Sequence, residues 1–420
     1  MKEFNKVIGY DDVKIELERI IDMMNNPKKY QELGAKTTRG LLLHGEPGVG
    51  KTLMAKCFIK ASKRPAFTIR KSLPDGDFVK FIKKTFEEAK AKAPSIVFMD
   101  DMDKFANEDE NHRNAEEFVT IQSCIDDCKD VEVFVLATTN QHRAIPRSLL
   151  RPGRFDKSIV IDNPEGEDAE KIVKHYLKKK KCSKDVDTKE IVRLLNGRSC
   201  ASLETVINEA GVYAGYENRK EVSMDDLVRA FMRVVYNAPE KLKFKDDKYK
   251  LQTAYHEAGH AVVAETLESG SVPFVSIKPH VGGIAGFAHI DNDDNYYEDK
   301  QFMENRVISL LAGKAATEII YGITDVGANN DIHRAFNIVE RFVDNYCTYG
   351  FTNWEGNTTT VPVGLEERRM TIICYEMERY YQQAKKILVD NKNYLEVLAK
   401  ELFNKKVLLA KDIQELKANA

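Results

Sequence analysis

Three short stretches of this 420-residue chain carry side chains whose types and spacing could do chemistry. The first, "GEPGVGKT" (45–52), fits the pattern G-x-x-x-x-G-K-[ST]. Glycines at that spacing let successive backbone N–H groups converge on phosphate oxygens, and a helix opening there adds its positive end. Gly45, Pro47, Gly48, Val49, Gly50 and Leu53 would form the cradle, Lys51 would reach the β and γ phosphates, and Thr52 would hold Mg²⁺. The second, "SIVFMDD" (95–101), ends an apolar run in Asp100 and Asp101. One acid at such a tip can hold the Mg²⁺ shell and its neighbour can orient an attacking water. "VEVFVLATTN" (131–140) ends in Asn140, a polar group suited to the same water or to the γ phosphate.

The third stretch is "YHEAGHAVVAETL" (255–267). A helix places positions i and i+4 on one face, so His256 and His260 can share one ion, with Glu257 beside them to move a proton. Catalytic zinc takes three protein ligands and leaves a position open. Spacing leaves the third ligand open among Glu318 in "AGKAATEIIYG" and Asp331 or His333 in "GANNDIHRAF". The alternative is a histidine pair buried in a core helix. Two arginines three apart, Arg151 and Arg154 in "LLRPGRFD", would be a solvated basic turn on their own. Beside a nucleotide site they suggest fingers offered to a neighbouring subunit, and hence a closed ring.

These groups need elements to position them. Over residues 1–163 strand and helix signals alternate: strands at 40–45, 65–70, 95–100 and 131–140, and helices after Lys51 and over 78–93. Such alternation predicts a mostly parallel sheet with helices on both faces, and its continuous apolar strands fit burial on both sides. Residues 164–238 read as a small helical lid. The charged, Pro-containing stretch 239–250 reads as a linker, and 251–420 as a mainly helical domain with a strand-like interruption at 274–290.

Composition narrows the class. The chain is 43% hydrophobic and 31% charged with net charge −2, a globular balance without the basic excess of a nucleic-acid binder. Its seven cysteines form no C-x-x-C and are odd in number, which predicts reduced thiols in a cytosol-like compartment. No apolar run approaches the roughly 18 residues of a membrane span.

In this order, "GEPGVGKT", "VFMDD", "ATTN", "LLRPGRFD", "HEAGH" and "GANNDIHRA" resemble the FtsH family, hexameric AAA+ ATP-dependent zinc metalloproteases, over residues 4–416. The resemblance implies a multidomain fold: an α/β P-loop AAA+ domain with a small helical lid, then a mainly α-helical zinc metallopeptidase domain. It implies one Zn²⁺ per chain held by His256, His260 and Asp331, with Glu257 catalytic, and ATP with Mg²⁺. It places the sensor asparagine at Asn140, the fingers at Arg151 and Arg154, and further nucleotide contacts at Ile8, Gly9, His175 and Ala201. "FVSIKPHVGGIAGFA" (274–288) resembles the edge strand to which substrate adds as a further strand. The implied partners are unfolded or membrane polypeptides and five further copies of the chain; no nucleic acid is expected. The family's N-terminal transmembrane helices are absent from this sequence, so the expected location is cytoplasmic, or the cytoplasmic face of a membrane if such helices precede it.

Two departures from the family pattern matter. Asp101 stands where the family usually has Glu, which predicts slow ATP turnover. "SLPDGDF" (72–78) replaces the aromatic–apolar–Gly pore motif, with Leu73 or Phe78 the candidates to grip substrate. Two functions compete: a processive ATP-dependent zinc metalloendopeptidase, and a protein-remodelling module with damped ATP turnover and weak peptidase activity.

Overall fold

A computed structural model describes residues 1–106, 115–239, 246–278, 287–289, 299–323, 326–350 and 363–420. The chain forms two compact units, Met1–Ala230 and Phe231–Ala420.

The first unit is an α/β layer structure. Helices α1 (Asp11–Asn25) and α2 (Pro27–Gln31) precede strand β1 (Gly40–His44) and helix α3 (Lys51–Ser62). Then follow β2 (Ala66–Ile69), α4 (Asp75–Ala91), β3 (Ser95–Met99), α5 (Ala115–Asp126), β4 (Val133–Thr139) and β5 (Lys157–Val160). The five strands form one sheet in the order β2-β3-β4-β1-β5, and every pairing is parallel. All of β3 and β4 is buried, which is why these strands read as unbroken apolar runs. The stretch read as a lid holds α6 (Gly166–Leu177), α7 (Thr188–Leu195), α8 (Cys200–Tyr216) and α9 (Met224–Tyr236), the last running past Ala230 into the second unit.

Two readings change here. Strand β5, beside β1, lies in the stretch that drew attention only for its arginines; four residues flanked by Pro and Gly give too short a pattern to register. Phe78 does not grip substrate. It is fully buried, packed edge-on against Phe105 and stacked on Phe81, because α4 begins at Asp75 and turns Phe78 into the core. Burial of such a ring contributes about 1.5–3 kcal/mol, which exposure in a pore would forfeit. Leu73 is 42% exposed and remains the apolar side chain of that loop.

The second unit is mainly helical: α10 (Asp247–Leu267), α11 (Lys300–Tyr321), α12 (Asn329–Asp344), α13 (Val363–Asp390), α14 (Lys392–Lys405) and α15 (Ala410–Ala418). Helix α10 starts inside the stretch read as a linker, with Asp246 capping it through the Tyr249 N–H at 3.0 Å. Strands β6 (Phe274–Ser276), β7 (Phe287–His289) and β8 (Val407–Leu409) form an antiparallel sheet in the order β7-β6-β8. The 274–288 stretch therefore holds a central strand, β6, and the start of an edge strand, β7; residues 279–286 lie outside the described residues. Helices α10 and α11 pack closely because small residues face each other. A Cβ built on Gly259 would lie 2.6 Å from the Ala316 Cβ and 2.7 Å from the Ala312 carbonyl oxygen.

Candidate nucleotide and metal sites

The phosphate loop links β1 to α3, as its motif requires. Gly48 and Gly50 take φ of +87° and +101°, conformations that L side chains rarely adopt. Lys51 is buried and donates to the carbonyl oxygens of Gly45 at 2.8 Å and Glu46 at 2.6 Å. Burial lowers its pKa from the usual lysine value, against the raising pull of Asp101, Asp103 and Glu46. Thr52 Oγ1 donates to Asp100 Oδ1 at 2.9 Å, and Thr138 Oγ1 donates to the same oxygen at 2.8 Å. Arg70 binds the other oxygen. Burial would raise the Asp100 pKa, but Arg70, Thr138 and Thr52 together hold it below the usual value. A hydroxyl and a carboxylate meeting here, with a lysine on the same loop, are the donors a Mg²⁺-nucleotide takes.

Asp101 sits at φ 54° and pairs with Lys104 at 2.7 Å. Asp103, which the motif reading passed over, accepts from Thr139 Oγ1 at 2.9 Å and from the Asn140 N–H at 3.0 Å. It ties the Asn140 backbone to the acidic turn; the only signal was a third acid two residues beyond Asp101.

The remaining nucleotide candidates gather partly. The Ala201 N–H donates to the Gly48 carbonyl at 3.0 Å, so the lid helix α8 touches the phosphate loop. Gly9 (φ +70°) lies against Asp168 on α6, the helix that carries His175, and Ile8 beside it is half-buried. Tyr10 and Cys200, unflagged by sequence, join these parts: the Tyr10 hydroxyl donates to the Asp162 carbonyl at 2.9 Å and lies 3.4 Å from Cys200 Sγ. Val49 is buried within the loop, whereas Pro47 and Leu53 are exposed. The two arginines part company. Arg151 is exposed, while Arg154 forks onto Asp126 at 2.7 and 3.1 Å.

In the second unit the metal candidates converge. His256 Nε2 and His260 Nε2 are 3.1 Å apart, and Asp331 Oδ2 lies 3.4 and 3.5 Å from them. The three candidate ligand atoms all lie within 4.8 Å of one another. His260 Nδ1 is 2.6 Å from the Ser309 carbonyl. A carbonyl only accepts, so Nδ1 donates and Nε2 keeps its lone pair for the cluster. Asp331 stands in the first turn of α12, where the helix end favours a carboxylate, yet its side chain caps nothing. Burial would raise its pKa; the two histidines hold it well below the usual range. Glu257 is buried between the histidines in sequence.

The other two candidates do not join this cluster. Glu318 binds Lys385 at 2.6 Å, Tyr381, and Lys314 at 3.1 Å, contacts that hold its carboxyl at about 2. His333 is exposed.

A further residue fits the group to this place. A Cβ built on Gly313 of α11 would lie 2.4 Å from His260 Nε2 and 2.5 Å from His256 Nε2. The two rings pack directly onto the bare backbone of Gly313, so the glycine is what lets both Nε2 atoms come together against α11. Two imidazoles and one carboxylate are also a donor set suited to catalytic zinc.

Comparison with known sequences agrees unit by unit. The model of the ATPase family associated with various cellular activities (AAA) matches residues 41–163, and that of peptidase family M41 matches 243–416. The ATP-dependent zinc metalloprotease FtsH 2 of Phytoplasma mali is 31% identical over 437 residues, covering 98% of this chain and 62% of the relative. FtsH 1 of Methylacidiphilum infernorum is 32% identical over 452 residues, covering 99% and 70%. FtsH of Bacillus subtilis is 30% identical over 453 residues, covering 99% and 69%. This chain belongs to the FtsH family. It spans between 62% and 70% of the length of these FtsH relatives. Among the described residues, no helix is long and apolar enough to cross a membrane. FtsH membership accounts for both sites at once and favours the protease reading over the damped remodeller.

Proposed function

We propose that this FtsH-family chain hydrolyses ATP in its first unit to feed unfolded polypeptide to a zinc endopeptidase site in its second. The observation that carries the reading is the meeting of His256, His260 and Asp331 beneath Gly313. Zinc held by these three groups supplies a Lewis acid at which water is acidified and a peptide carbonyl polarised. The protein's part is proton handling: Glu257 takes the proton from the attacking water and returns it to the leaving amine. The Ser309 carbonyl keeps the His260 ring aimed, and the cores of α10 and α11 pack around the site.

In the ATPase unit, Lys51 must leave its two loop carbonyls to meet phosphate, and the buried Asp100 and Thr52 hold the Mg²⁺ that accompanies it. Asp101 orients the attacking water. Asp103 sets the sensor backbone through Asn140. Arg151, exposed, is the residue offered to a neighbouring copy in a hexameric ring, whereas Arg154 fixes the turn that carries it by gripping Asp126. We assign the nucleotide module to 1–163, its lid to 164–238 and the peptidase to 251–420.

The test pairs zinc content with casein degradation, with and without ATP, on one sample. About one zinc per chain and ATP-dependent cleavage are expected. Glu257→Gln should abolish cleavage and leave ATPase activity; casein cleavage by that variant would sink the assignment.

A further inference from the structure

We propose that Arg70 competes with Mg²⁺ for Asp100 and thereby links the nucleotide site to the exposed loop at 72–78. The inference rests on the ATPase reading above. Asp100 is 2% exposed, and its two carboxylate oxygens are both engaged: Oδ1 by Thr52 and Thr138, Oδ2 by the Arg70 guanidinium. Thr52 and Asp100 are the groups that would hold Mg²⁺, so a cation of the protein's own already stands on the acid. Mg²⁺ takes oxygen ligands at about 2.0–2.1 Å in near-octahedral order. A guanidinium on the same carboxylate repels it and blocks one oxygen. The ion and Arg70 therefore exclude one another, and each weakens the other by the same factor.

Arg70 can leave. Its side chain is 60% exposed, so rotation into solvent uncovers no core. Its backbone follows directly on β2, whose last residue is tied to the acid: the Asp100 N–H donates to the Ile69 carbonyl at 3.1 Å. On the other side, Lys71 is anchored on Glu117 at 2.8 Å and lies over the Phe78 ring at 4.8 Å. Between that anchor and the start of α4 at Asp75 lie only Ser72, Leu73 and Pro74. Whether Arg70 is bound or released is thus felt three residues from Leu73, the exposed apolar side chain of the loop.

The test uses the full chain and a fluorescent ATP analogue, with Mg²⁺ titrated at fixed nucleotide. In Arg70→Ser and Arg70→Gln the half-saturating Mg²⁺ concentration should fall about fivefold, the size expected of a half-exposed charge-assisted contact; Arg70→Lys should lie between these and the parent. A Leu73→Trp reporter, with Trp354→Phe to remove the native indole, should respond to Mg²⁺-nucleotide in the parent and lose most of that response with Arg70→Ser. An unchanged or raised Mg²⁺ requirement in both neutral variants overturns the inference while leaving the ATPase intact. A parent that binds no nucleotide overturns both.

Discussion

Gly313→Ala puts one methyl group between the two histidines that define the metal site. Its Cβ would begin 2.4 Å from His260 Nε2 and 2.5 Å from His256 Nε2, whereas real Cβ atoms essentially never approach a neighbour closer than 3.0 Å. The rings or the helix must therefore move by at least about 0.6 Å, the difference between 3.0 and 2.4 Å. Zinc ligation tolerates only about 0.2 Å in ligand distance, so a displacement of that size takes the ring nitrogens out of reach of a shared ion. Loss of zinc affinity on the order of 10²-fold is expected, since errors approaching 1 Å and lost ligand support each cost about that much. The assay is competition with a chromophoric zinc chelator, followed by elemental analysis after dialysis at fixed free zinc. Gly259→Ala is the control: its Cβ would strike the Ala316 Cβ and the Ala312 carbonyl. It should lower the melting temperature through overpacking, about 1–3 kcal/mol, and spare zinc affinity in the folded fraction. A folded Gly313→Ala protein that binds zinc like the parent would refute the reasoning.

Three other outcomes are expected. Phe78→Ala should destabilise the first unit by about 3–5 kcal/mol in urea unfolding, whereas Leu73→Ala should leave stability unchanged and slow degradation of folded substrates. Arg154→Ala should cost about 1–2 kcal/mol of stability by removing the fork on Asp126 and the bond to the Ser148 carbonyl, with Lys129 left on Asp126; Arg151→Ala should leave the melt unchanged and abolish ATP turnover, and equal melting losses for both would remove the distinction. In the lid, burial would raise the Asp226 pKa, but Arg219 and Ser223 hold it down at about 2. A depressed acid stabilises the fold above its unfolded pKa, near 4, and loses that contribution as pH falls through about 2. Asp226→Asn should therefore destabilise the lid by about 1–2 kcal/mol at pH 7, a gap that closes between pH 4 and pH 2; a gap constant with pH would contradict this.

Local pattern reached a definite distance. The phosphate loop was legible because its glycines, lysine and threonine act within one strand–turn–helix. The His256–His260 pair was legible because i and i+4 share a helix face wherever that helix sits. Phe78 was misread for the same reason in reverse. Near a polar loop an aromatic looks available, and only the start of α4 at Asp75 turns it into the core. Strand β5 was too short to announce itself and becomes a strand by pairing with β1.

The sequence by itself determined which atoms could do chemistry: an amine and hydroxyl after a glycine loop, acids at a strand end, two imidazoles one helical turn apart. Tertiary structure decided which of them act together. Asp331 stands on α12, across α11 from the histidine helix, and spacing ranked it no higher than Glu318 or His333; packing gave Glu318 two lysines and Asp331 the histidines. Gly313, Asp103 and Arg70 have no motif because their roles are contacts across elements. A missing methyl, an accepted N–H or a borrowed carboxylate depends on what the fold brings opposite, and one-dimensional spacing does not encode distances of a few ångströms between segments far apart in the chain.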